Sequence, residues 1–113
     1  MTDARPAGAG AGEPAPAPPS VDPVPEAARG ELERIRRRWS ELPLARAEAA
    51  APAVREVVEA LAARTAPDTP VPDLGPAALV DQLAVVVWDA CATGAVDGPA
   101  LTEQLTALRR ALP

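Results

Sequence analysis

From residue 26 to residue 113, apolar side chains recur every three or four positions, and no segment alternates apolar and polar residues as a strand would. The first such stretch has spacings of 4, 3, 4 and 3, which is a narrow helical stripe suited to one partner helix. Its members are Ala28, Leu32, Ile35, Trp39 and Leu42. Three further stretches repeat the pattern. The sequence therefore predicts an all-α fold, a four-helix bundle with helices over about 27–42, 43–64, 76–93 and 99–112.

Proline and glycine set the predicted helix ends. Pro43 prevents the first helix from continuing straight, and Pro76 and Pro99 each follow a glycine at a predicted helix start. Pro52 lies inside the second stretch, where it removes one backbone hydrogen bond. Because the apolar spacing keeps its phase across Pro52, we expect a kinked helix there rather than two separate helices.

Two connections follow from the same signals. Residues 65–75 contain three prolines and no periodicity, which predicts a stiff surface connection whose Val71 and Leu74 dock on the bundle. A short turn around Gly94 joins the third and fourth predicted helices. Such a turn is typical of antiparallel neighbours, so we expect these two helices to pack as a pair.

The first 25 residues form a separate region. They contain seven of the fifteen prolines and three of the seven glycines, and beyond Met1 their only sizeable apolar residues are Val21 and Val24. Such a stretch cannot bury enough surface to offset its chain entropy. We therefore expect two regions, a disordered Pro/Ala/Gly-rich arm at 1–25 and a helical domain at 26–113.

The apolar runs are too short for a secretory signal or a membrane span, the longest being Leu83–Trp88. A single cysteine excludes an internal disulfide and fits a reducing compartment. These features predict a cytoplasmic protein without membrane contact.

Most side chains that perform chemistry are missing. The chain has no His, Tyr, Phe, Lys or Asn. Apart from His, these residues have codons rich in A and T, so their absence indicates a G+C-rich, bacterial genome. The missing histidine removes the usual acid/base near neutral pH. Cys91 lies near a predicted helix C-terminus, where nothing would lower its pKa, and we expect a small buried apolar residue. With no metal-ligand cluster and no phosphate-binding loop, we predict a non-enzyme without cofactor, metal or small-molecule substrate.

The third predicted helix is apolar over about 200° of its circumference, more than one packed face needs. Val85 falls among its polar residues, and Trp88 borders them. With Trp39 in the first helix, these are the candidate interface residues. The predicted function is a non-catalytic protein-protein interaction or regulatory module, with a protein partner or a homodimer formed through the third helix. An accessory subunit of an enzyme complex is an alternative.

A basic cluster gives the other alternative. Arg34, Arg36, Arg37 and Arg38 adjoin Trp39, as in some nucleic-acid contacts. However, these arginines project around the helix rather than along one stripe, and we expect Arg37 to pair with Glu33 and Glu41 at i,i+4 spacing. The net charge of −5 also repels phosphate. We therefore prefer a solvated, self-paired face, with nucleic acid an unlikely partner.

Overall fold

The computed structural model describes residues 22–113, which form four α-helices and no strand. The helices are α1 (Glu26–Glu41), α2 (Leu44–Thr65), α3 (Pro76–Ala92) and α4 (Gly98–Ala111). The predicted all-α fold is confirmed, and each predicted helix end lies within one residue of the observed one. Residues 1–21 of the predicted arm lie outside the described residues.

Residues 22–25, the last four of the predicted arm, lie against the bundle. The Asp22 carboxylate accepts a hydrogen bond from the Val24 main-chain N–H (2.9 Å) and forms an ion pair with Arg29 in α1 (3.1 Å). The Val24 side chain is buried in the core. A single valine just before α1 therefore extends the folded part of the chain ahead of the first predicted helix.

Helix α2 is continuous through Pro52, so the helix does not restart there. Pro52 and Glu48, whose carbonyl loses its helical N–H donor at Pro52, are both exposed to solvent. Water can hydrate that carbonyl, which explains why a proline is accepted in the middle of a 22-residue helix.

Contacts between side chains define the helix directions. Trp39, near the end of α1, donates its Nε1–H to the main-chain oxygen of Pro76 at the start of α3 (3.0 Å), and Arg36 pairs with Asp81 one turn further along α3 (2.8 Å). Helices α1 and α3 are therefore antiparallel. The first turns of α2 and α3 border one cleft, and at their far ends Arg64 donates to the main-chain oxygen of Ala95 (3.1 Å), so these two helices are parallel.

Helix α4 runs parallel to α1. Pro25, at the start of α1, lies beside Gly98 at the start of α4, and Arg38 near the end of α1 donates to the main-chain oxygen of Pro113 (2.6 Å). The order is thus up, down, down, up, with the connection between α2 and α3 crossing the length of the bundle. This is the long crossover arrangement of four-helix bundles.

The helices that pack most closely are α2 with α3 and α1 with α4, and α1 also contacts α3. The expectation that α3 and α4 pack as the close pair is wrong, although they do run in opposite directions. The reason lies in the apolar faces: α3 directs its wide arc to both α2 and α1, whereas the narrow leucine stripe of α4 fits α1. The most deeply buried side chains are Ile35, Val54, Val58, Leu61, Leu79, Leu83, Val87, Leu101 and Leu105.

The predicted stop of α3 at Gly94 is confirmed. Gly94 has φ +72°, the left-handed conformation that glycine adopts most readily. The main-chain N–H of Ala95 donates to the main-chain oxygen of Ala90 (2.9 Å), and the main-chain N–H of Gly94 donates to the main-chain oxygen of Cys91 (3.2 Å). This pair of hydrogen bonds is the Schellman motif, which satisfies the last carbonyls of the helix.

Candidate protein-binding surface

Two of the three predicted interface residues lie on the surface. Val85 is 59% exposed and Trp88 is 51% exposed, and because they are three residues apart they share the outer face of α3. Trp39 is only 8% exposed and its indole N–H is bonded to Pro76 (3.0 Å), so it belongs to the core. Trp39 is therefore not part of the candidate surface on α3; its indole is packed with its donor satisfied, and it lines a separate cleft with Arg36 and Leu44.

An open apolar groove of about 580 Å³ adjoins this face of α3. We call it the α3 groove. It lies between the C-terminal part of α2, the connection after it, and one side of α3. Its lining residues are Ala62, Thr65, Ala66, Thr69, Pro70, Val71, Pro72, Leu74, Ala78, Asp81, Gln82, Val85, Val86 and Asp89. Small and aliphatic side chains dominate, and none of the lining residues is aromatic or basic.

The connection between α2 and α3, which forms one wall of the groove, is bonded to both helices. Gln82 of α3 donates its Nε2–H to the main-chain oxygen of Pro72 (2.9 Å), and Arg55 of α2 pairs with Asp73 (3.0 Å). Val71 packs against the core as expected, but Leu74 is 61% exposed and does not dock. Leu74 instead adds to the apolar surface of the groove. The sequence pattern could not show this, since the connection has no periodicity.

The charged residues that line the groove are all acidic. Asp81 is paired with Arg36 (2.8 Å), whereas Asp89 makes no ion pair within residues 22–113. Residues 65–113 carry six acids and two arginines, and the arginines, Arg109 and Arg110, are at the end of α4. The α3 groove is therefore apolar at its floor and negative at its rim.

The basic cluster is divided and largely paired. Arg34 pairs with Glu31 (3.3 Å), Arg38 with Glu41 (3.8 Å), and Arg36 reaches across to α3. Arg34, Arg37 and Arg38 line a separate cleft with Arg109 and Glu41. In the described part of the chain, neither pair expected of Arg37 is formed: Glu41 is paired with Arg38 at i,i+3 spacing instead, and no ion pair joins Arg37 to Glu33.

Glu31 is a buried polar residue that is not among the predicted site residues. Its carboxylate accepts hydrogen bonds from Nε and Nη2 of Arg109, which joins α1 to α4, and from Arg34. The hydrogen bond from Arg109 lowers the pKa of Glu31, against the opposing effect of burial. The sequence does contain a signal for the burial of Glu31. It lies three residues after Ala28 and four before Ile35, and this spacing puts it on the buried stripe of α1.

Cys91 is the single cysteine of the chain, and the acidic side chains are its other candidate metal ligands. Cys91 is half-buried, and its pKa is raised by burial and by the nearby charge of Asp22, so its thiolate is disfavoured. Residues 22–113 contain no group of three or more His, Cys, Asp or Glu side chains placed to hold a metal ion. Within the same residues, no helix is both long enough and apolar enough to cross a membrane.

The fold and this surface define a small all-α bundle with an open, acid-rimmed apolar groove. No protein-family model matches the chain, and neither does any curated protein or solved structure.

Proposed function

We propose that this chain is a small, non-catalytic protein-protein interaction module that binds another polypeptide through the α3 groove and the exposed face of α3. The observation that carries the proposal is the exposure of three large apolar side chains on this side of the bundle. Leu74 and Val85 line the groove, Trp88 follows Val85 by three residues on α3, and each is more than half exposed. Large apolar side chains grouped on a small domain mark contact sites more often than isolated ones do. Leu44, also exposed, lies beside a different cleft.

The chemistry of the groove supports binding rather than a reaction. Its charged lining residues, Asp81 and Asp89, lie at the rim of an apolar groove, and no Arg, Lys, His, Cys or Ser is among the lining residues. A helical groove of this kind is a common site for a partner segment.

The test is site-specific photocrosslinking in cells that express the chain naturally. A photoreactive residue at position 85 is expected to give a crosslinked product with a defined polypeptide, identified by mass spectrometry. The matched control is the same photoreactive residue at position 103, which is exposed on α4 away from the groove. Equal products at both positions, or none at either, would contradict the proposal.

Self-association through α3 is a second form of the same proposal. Sedimentation over a wide range of chain concentration distinguishes it, with Trp88→Ala as the variant. A dimer that Trp88→Ala dissociates would support it, and monomers throughout would exclude it.

A further inference from the structure

We infer that the occupant of the α3 groove is a basic amphipathic helix from a different protein, an inference that rests on the proposed function. Its apolar residues would enter the groove, and its Lys or Arg residues would face the acidic rim. Three features of the described residues carry this inference: the shape of the groove, the charge of its rim, and the absence of a suitable segment in a second copy of the chain.

The groove suits a helix. Along α3 it extends from Ala78 to Asp89, which is three turns of helix or about 16 Å. An added strand would need an exposed sheet edge, and residues 22–113 form no strand. A polyproline segment would need slots formed by several aromatic side chains; none lines the groove, and Trp88 beside it is a single aromatic residue. A helix docking on apolar side chains remains, and Val85 and Trp88 have the spacing at which one helix meets another.

The rim selects a basic partner. Asp81 already has Arg36 as its counter-ion, but Asp89 has no ion-pair partner in residues 22–113, and Asp68 in the adjoining connection has none either. A partner with cationic side chains beside its apolar stripe would neutralise these carboxylates, whereas an acidic partner would be repelled. Electrostatic selection of this kind weakens as salt rises.

A second copy of the chain fits less well. In a symmetric pairing of two α3 faces, the face that carries Asp81 and Asp89 in one copy would meet the same acidic face of the other copy. In an asymmetric pairing, the copy would need an exposed apolar stripe flanked by arginines. The large apolar residues exposed in the described part are Leu44, Leu74, Val85 and Trp88, and none of them is on α1, the arginine-rich helix. Residues 1–21 contain only Met1 and Val21 as sizeable apolar residues, so their sequence offers no such stripe.

The experiment uses the full chain and two labelled helical peptides of about 14 residues. Both peptides carry the same leucine stripe at i, i+3, i+4 and i+7 positions, flanked by arginine in one and by glutamate in the other. By fluorescence anisotropy we expect the arginine peptide to bind about ten-fold more tightly than the glutamate peptide, with the difference shrinking as salt rises.

Charge reversal in the protein sharpens the test. Asp89→Arg is expected to lower the affinity for the arginine peptide and to raise the affinity for the glutamate peptide, each by about three- to ten-fold. Glu103→Arg makes the same change in net charge on an exposed position of α4 and is expected to alter both affinities little. Val85→Ala, which leaves the charge unchanged, should weaken the binding of both peptides by removing apolar contact.

The outcomes separate this inference from the proposed function. Equal binding of the two peptides, or equal effects of Asp89→Arg and Glu103→Arg, would overturn the basic-helix inference. If neither peptide binds but position 85 still crosslinks selectively, the interaction module stands and this choice of occupant falls. If the crosslinked product is a second copy of the chain, the same conclusion holds.

Discussion

The carboxylate of Glu31 is the main polar contact inside the bundle, and it joins α1 to α4 through Arg109. We expect Glu31→Gln to lower the free energy of unfolding by about 1–3 kcal/mol, because the neutral amide loses the charge-assisted hydrogen bonds from Arg109 and Arg34. Urea denaturation at pH 7 measures the change. Glu33→Gln, on the exposed side of α1, is the control and should change stability by less than about 0.5 kcal/mol.

The same residue predicts a pH dependence. Since the pKa of Glu31 is lower in the folded chain, its stabilisation is complete above the unfolded-chain pKa of about 4.3 and is lost as pH falls through the folded pKa. The difference in unfolding free energy between wild type and Glu31→Gln should therefore be largest near neutral pH and shrink below about pH 4. Denaturation curves of both proteins from pH 7 to pH 3 test this, and a gap that stays constant would contradict it.

At the scale of one element, α2 carries a proline that its packing does not need. Pro52 is exposed and removes one hydrogen bond from a helix that is otherwise continuous. We expect Pro52→Ala to raise the free energy of unfolding by about 1–3 kcal/mol, since proline inside a helix costs about 3 kcal/mol relative to alanine and its stiffening of the unfolded chain offsets part of this. Chemical denaturation followed by circular dichroism measures it.

Pro67 provides the control for that prediction, because its replacement is expected to change stability in the opposite direction. It lies in the turn closed by the hydrogen bond from Thr69 N–H to Ala66 O (3.1 Å), at a position that proline favours. Pro67→Ala should lower stability by up to about 1 kcal/mol, because the unfolded chain gains freedom. If Pro52→Ala also lowers stability, then proline at position 52 relieves a clash that a straight helix would cause.

The helices and the interhelical contacts differ in how far the sequence predicts them. Helix ends were predictable because Pro43, Gly75 and Gly94 act locally on the backbone. The pairing of α1 with α4 was not, because it depends on which apolar faces fit, and spacing along the chain does not contain that information. In the candidate surface, Val85 was predictable from the excess apolar arc of α3. Leu74 and the groove required the path of the connection over α2 and α3.

At the scale of the whole molecule, α3 has two apolar sides with different energetic roles. Leu83 is fully buried between neighbouring helices, whereas Val85, two residues later, is 59% exposed. The buried side accounts for the stability of the single chain. The exposed side would add to stability only when another polypeptide covers it. The acidic rim disfavours a second copy of the chain in that position.

We therefore expect the thermal midpoint of the full chain to be independent of its concentration over about a hundred-fold range, because only an associating protein gains stability by mass action. Val85→Glu should leave this midpoint nearly unchanged, since an exposed side chain contributes little to the core. Leu83→Ala should lower the free energy of unfolding by about 2–5 kcal/mol through the cavity it creates. A thermal midpoint that rises with concentration in the wild type but not in Val85→Glu would contradict this. It would show that two copies of the chain associate through their α3 faces.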